Sequence, residues 1–177
     1  MELWALNSDK IDKIPRHGSS MQSYDKGSIY APKMRTMLVP TELAVTLNVN
    51  GVYFGTDKIS HFLGSGFEYY QKYLKNRKKY SEVMAEALAL KWGVEMENDV
   101  LGTKVVGIFS YADLEANFQG LQMAKSFCRL KNPTIERVDG QWAVMRAIDM
   151  RDYINPNWDE SFNVSTYTNH MLKKVKK

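Results

Sequence analysis

Apolar residues recur at helical spacing in three stretches of the chain. From Thr56 or Asp57 onward, Ile59, Phe62, Leu63, Phe67, Tyr70 and Leu74 fall every three or four positions and predict a helix with one apolar face. Gly64 and Gly66 lie inside it; they lower helix propensity and are expected where another element comes close. Ser81 caps a second predicted helix, with Val83, Met84, Ala87 and Leu88 facing the core. Ser110-x-x-Asp113 opens a third, with Leu114, Phe118, Leu121, Met123 or Ala124, and Phe127 turned inward, and Asn132-Pro133 ends it.

Between the second and third helices the period changes. Gly93 after Trp92 reads as a stop, Val94 to Glu97 alternates apolar with acidic, and Lys104 to Phe109 is β-branched and aromatic. The pattern predicts a chain reversal with a short hairpin. Asn50-Gly51 and Asp139-Gly140 are further turn signals, the second within a hairpin over 135–144. Short helices are expected near Ala147 to Ile154 and after Ser165 or Thr166. Residues 1–36 are polar and broken by Pro and Gly. They read as an arm over the domain, with Trp4, Tyr24 and Tyr30 as anchors, and 37–177 as a single domain. The fold class expected is α+β, mostly helical, with a small β-hairpin between core helices.

Composition refines this picture. A hydrophobic content of 44% supports a packed core over disorder. No apolar run reaches the roughly 18–20 residues of a membrane span, and MELWALNSDK does not read as a secretory leader. The single cysteine, Cys128, excludes an internal disulfide and is expected as a core thiol. The net charge of +4 is concentrated in the runs Lys72–Lys79 and Lys173–Lys177, a solvated basic surface attractive to polyanions such as nucleic acid, anionic lipid or bacterial cell wall. The lysine runs lack interleaved stacking aromatics beyond Tyr73 and Tyr80, so nucleic-acid binding is not the leading reading.

The candidate chemistry lies among the acids. Glu86 is surrounded by Ala85, Ala87, Leu88, Ala89 and Leu90, a setting that desolvates a carboxyl and raises its pKa, as a general acid for glycoside cleavage requires. Glu97, among Glu95, Asn98 and Asp99, has the polar setting of a second, ionised carboxylate. On one continuous helix the two would stand about 16.5 Å apart, at roughly 1.5 Å per residue. That exceeds the roughly 5–9.5 Å of a glycosidase pair. The pair therefore depends on the reversal at Trp92-Gly93. His61 follows Asp57 at i, i+4, an orienting geometry, and reads first as a locally hydrogen-bonded histidine. With His17 and His170 near the two ends, no histidine metal site is expected.

The segment 81–120 resembles the lysozyme superfamily, most closely its goose-type lysozyme and lytic transglycosylase branch. A glutamate-bearing helix leads to a second acid, then to a strand end at Gly107-Ile108-Phe109-Ser110, then to a helix beginning Asp113-Leu-Glu115-Ala-Asn117-Phe-Gln-Gly120. That last stretch is similar to the branch's Asp-Pro-Glu-x-Asn-Ile-x-x-Gly segment. Leu114 stands for its Pro, Ser110 for the Gln of its strand, and Ala87 for the Ser after its catalytic Glu. The resemblance implies a secreted or periplasmic, monomeric muramidase acting on peptidoglycan without a cofactor. Glu86 would be the general acid and Glu97 the second carboxylate, with Phe109, Ser110 and Tyr111 lining the cleft and Trp142 and Trp158 stacking on sugars. Glu95 and Asp99, beside Glu97, would favour de-N-acetylated wall. The alternative is a non-catalytic cell-envelope or cell-wall-binding protein that keeps the shell without activity. Two further stretches, DKISHFLGSGFEYY and RDYINPNWDESFN, are similar to segments of secreted bacterial proteins, and no chemistry is placed in them.

Overall fold

The computed structural model describes residues 12–14, 46–128 and 131–176. Most of the expected arm, with Trp4, Tyr24 and Tyr30, lies outside the described residues; its strand β1 (Asp12–Ile14) does not. β1 pairs antiparallel with β2 (Thr46–Val49). β2 turns through Asn50-Gly51, both at positive φ, into β3 (Val52–Gly55). That turn is the tight two-residue hairpin its sequence predicts.

The first predicted helix is a composite. α1 (Asp57–Ser60) passes through a π-helical turn (His61–Ser65) into α2 (Gly66–Arg77). A π turn holds an extra residue, so the buried face beyond it shifts by about 100°. Ile59 and Phe62 are buried as expected; past the turn Gly66, Tyr69 and Tyr73 are buried, while Phe67 and Leu74 are exposed.

α3 (Glu82–Asn98) starts at Ser81, whose hydroxyl accepts from Met84 N, and runs uninterrupted through Gly93. The expected stop and the strand over Val94 to Glu97 are corrected here. Gly93 is a close-packing position: a Cβ there would overlap the Tyr69 ring. The buried row of α3 is Ala85, Ala89, Gly93 and Glu97 at i, i+4 spacing, whereas Val83, Met84 and Ala87, expected inward, face solvent. Small residues bring this helix close enough to pack on Tyr69, Tyr73 and Leu121.

Turns over residues 99–107 lead into β4 (Ile108–Phe109) and α4 (Tyr111–Phe127). β4 pairs with β7 (Thr166–Tyr167) near the end of the chain, so the hairpin expected between the core helices is replaced by a long-range pair. The β5 (Ile135–Val138) and β6 (Gln141–Val144) hairpin forms where Asp139-Gly140 places it. Two 3₁₀ turns, Met150–Asp152 and Pro156–Trp158, and the short α5 (Asn169–Val175) complete the described chain. The class is α+β and mostly helical, with small antiparallel strand pairs, and no helix among the described residues is long and apolar enough to cross a membrane.

Trp158 is 0% exposed and packs edge-on against Phe54 (5.1 Å between centroids) and beside Phe62 (5.4 Å). It is a core residue, which corrects its expected sugar-stacking role. Cys128, expected in the core, is exposed because α4 ends one residue before it.

α4 crosses the π turn and α2 at paired glycines. A Cβ on Gly66 would come within 2.6 Å of Gly120 Cα, and one on Gly120 would overlap the Phe62 carbonyl. Gly64, by contrast, faces open space and approaches no other element. Gly120→Ala is therefore expected to cost about 3 kcal/mol and to lower the melting temperature by roughly 6–12 °C. Gly64→Ala should raise stability by up to about 1 kcal/mol. Thermal melts of both variants test the crossing, and a Gly120→Ala protein as stable as wild type would contradict it.

Candidate functional site

The expected site residues are scattered. Glu86 and Glu97 lie on one continuous helix, eleven positions apart, so the chain reversal that would pair them is absent. Glu86 is half-buried and held by Lys125 Nζ (2.5 Å) and Gln122 Nε2 (3.2 Å). Glu95 and Asp99 share the solvent-facing side of α3, one turn apart, with Lys91 (3.9 Å) and Lys104 (2.5 Å) as partners. Glu97 points the opposite way, into the protein. The expected three-acid patch is therefore split by the helix. Phe109 and Tyr111 contact each other edge-on at 5.1 Å, and Trp142 stands 68% exposed on the β5–β6 hairpin. The basic run of α2 faces solvent, where Lys72, Lys75, Lys91 and Trp92 line a groove of about 310 Å³, with the Lys72 ammonium 4.4 Å above the Trp92 ring.

What the fold does gather is a polar cluster around Lys58. Its side chain is only 1% exposed, and its ammonium contacts Asp57 Oδ2 (2.8 Å), Asp113 Oδ1 (2.6 Å) and Glu160 Oε1 (2.9 Å). Asp57 and Lys58 open α1, Asp113 sits in the first turn of α4, and Glu160 follows the second 3₁₀ turn. Ser110 knits these elements together. Its hydroxyl accepts from Asp113 N (3.1 Å) and donates to Glu160 Oε1 (3.1 Å), and its backbone N–H donates to Glu97 Oε1 (3.0 Å). Glu97 Oε2 is buried without a hydrogen-bond partner among the described residues.

His61 completes the cluster. Nδ1 lies 3.0 Å from Asn117 Oδ1, and Asn117 Nδ2 donates to the Tyr69 hydroxyl (3.3 Å). The amide oxygen thus faces the ring. Nε2 is presented to Asp113 Oδ2 at 3.3 Å. Side-chain exposure rises from 13% at Asp113 through 19% at His61 and 24% at Asp57 to 42% at Glu160, so the cluster reaches solvent on its Glu160 side.

Burial works against the Lys58 charge, but Asp57, Asp113 and Glu160 outweigh it and hold its pKa well above the ordinary lysine value. Burial likewise favours neutral Asp113, but His61 and Lys58 prevail and lower its pKa. Glu97 goes the other way: burial raises its pKa and Asp113 adds to the effect, against the Ser110 N–H, His61 and Lys58. Burial also pushes the Tyr69 hydroxyl up to about 12.

Asp57, His61 and Asp113 bring one ligand atom each within 4.8 Å of one another, a donor set that fits a cation. The expectation of no histidine metal site weighed only histidine pairs. The Asp57-x-x-x-His61 spacing was the local signal, and its completion by Asp113 is a tertiary fact. Lys58, Asn117 and Glu160 had no counterpart in the sequence reading of the site. Comparison of the chain with protein-family models, curated proteins and solved structures gives no match.

The raised pKa of Glu97 has a sign. Between the ordinary carboxylate value and the raised one, the folded protein binds more protons than the unfolded chain, so this group's contribution to stability falls as pH rises through that window. Glu97→Gln keeps the acceptor for Ser110 N–H and removes the titration. Urea unfolding with chelator present is expected to give the variant a stability profile that falls less steeply than that of wild type as pH rises above the ordinary carboxylate value. Parallel profiles would contradict the assignment.

Proposed function

We propose that the protein is a hydrolase that activates water at the mouth of the Lys58 cluster, where Asp57, His61, Asp113 and Glu160 reach solvent. The observation that carries this reading is the convergence of one imidazole and an excess of carboxylates from distant parts of the chain on a single buried ammonium. A fold has no stability requirement for such a cluster, because well-packed apolar residues serve a core as well or better. Groups of this kind, with pKa values driven apart in one polar site, are the arrangement acid–base chemistry uses.

In this reading Lys58 and Ser110 fix the carboxylates, Asn117 fixes the imidazole, and Asp57, His61 and Asp113 orient the water. The water oxygen joins the electrophilic centre of the substrate. Its proton passes to Glu160, the most exposed carboxylate, and from there to the departing atom. The substrate class is peptidoglycan, supported by the basic charge of the chain. Glu86, near the start of α3 and paired with Lys125 of α4, has no role in this chemistry.

The test is purified protein on native and de-N-acetylated peptidoglycan, followed for reducing ends, free amines and acetate. His61→Gln and Glu160→Gln are each expected to lower turnover about 100-fold or more, the range of lost general acid–base catalysis. Glu86→Gln should stay within about twofold, as expected of a residue outside the reacting set. Wild-type turnover in His61→Gln, or release of none of the three products by the wild-type protein, would sink the proposal.

A further inference from the structure

His61 Nε2 faces Asp113 Oδ2 at 3.3 Å, while its Nδ1 stands 3.0 Å from Asn117 Oδ1. Asp57, Asp113 and Glu160 surround one ammonium, a surplus of two carboxylates in a half-buried site. Uncompensated charge at such a place is costly.

We propose that Asp57, His61 and Asp113 bind a divalent transition-metal ion of the Zn²⁺ or Mn²⁺ type. Three observations carry this. The three ligand atoms lie within 4.8 Å of one another. The 3.3 Å between His61 Nε2 and Asp113 Oδ2 matches two ligands on one tetrahedral ion, which legs of roughly 2.0–2.1 Å place about 3.3 Å apart. His61 is held through its other nitrogen by an amide oxygen, the outer-shell arrangement that orients a metal-binding imidazole. One imidazole with carboxylates selects a borderline ion over Ca²⁺ or Mg²⁺. A dication cancels the surplus charge while Lys58 keeps its three partners. For the role of the ion, as the Lewis acid that activates the water, the proposal rests on the hydrolase reading; for the binding itself it does not.

The full chain, stripped with chelator, is titrated with ZnCl₂ and separately with MnCl₂ by calorimetry, with thermal melts in parallel and CoCl₂ as an optical probe. The expected result is one ion per chain, a rise in melting temperature and visible absorption from bound Co²⁺. His61→Gln and Asp57→Asn, both on the half-exposed rim and checked for folding by circular dichroism, should each weaken binding at least about tenfold; Glu86→Gln should bind as wild type. Absence of binding, or binding left unchanged in both rim variants, overturns the site. Binding without wall hydrolysis removes the hydrolase reading and leaves the site standing. Hydrolysis by stripped protein that binds no ion overturns the site alone.

Discussion

A single ammonium group, that of Lys58, holds the polar centre of this protein together. Taking it out of water is expensive, and the cost is offset only because three carboxylates close around it from α1, from the first turn of α4 and from the segment after the second 3₁₀ turn. Each of those positions is set by something apolar. Trp158, buried against Phe54 and Phe62, fixes the turn that delivers Glu160. The glycine crossing of α4 on the π turn sets the distance from Asp113 to His61 and Lys58. Asp113 also sits at the positive end of the α4 dipole, which adds to the attraction from Lys58 and His61. The charges thus lock together elements that packing has already brought close.

A second chain of dependence runs from a packing detail to the orientation of the imidazole. Gly93 has no side chain, so the Tyr69 ring lies directly on α3. The hydroxyl of that ring accepts from Asn117 Nδ2, which turns Asn117 Oδ1 toward His61 Nδ1. The group presented to His61 Nδ1 is therefore positioned through a glycine on a different helix. The π turn contributes as well: starting at His61, it rotates Tyr69 and Tyr73, rather than Phe67 and Tyr70, onto the buried face. Tyr69 belongs both to the aromatic core and to the polar site.

Much of the local structure was legible in the sequence, because its signals act over a few residues. The Asn50-Gly51 and Asp139-Gly140 turns and the Ser81 and Ser110 caps are where their side chains and φ preferences place them. Gly66 does mark a close approach. The errors share a cause: a residue whose meaning depends on a distant partner. Gly93 looks like a stop until Tyr69 is placed on it. The apolar face of the first helix is misphased because nothing local announces the extra residue of a π turn. The site was half visible, in Asp57 and His61 one turn apart, but Asn117 is 56 positions from His61 and Glu160 is 102 from Lys58. No window along the chain contains them together.

The acids at 95, 97 and 99 show how one assignment of secondary structure redirects a functional reading. On a strand, alternate residues share a face, so the three form one anionic patch. On a helix, residues two apart are about 200° apart, so Glu95 and Asp99 fall on one side and Glu97 on the other. The other positions on the Glu97 side, Ala85, Ala89 and Gly93, are small and buried, and that row carries Glu97 inward beneath the turns of 99–107. Only glycine fits at position 102, where a Cβ would overlap Glu97. Two of the three acids are therefore left to lysines at the surface, and the third becomes a desolvated carboxyl bonded to the Ser110 N–H. The sequence feature that first suggested chemistry still leads to the site, through one acid rather than three.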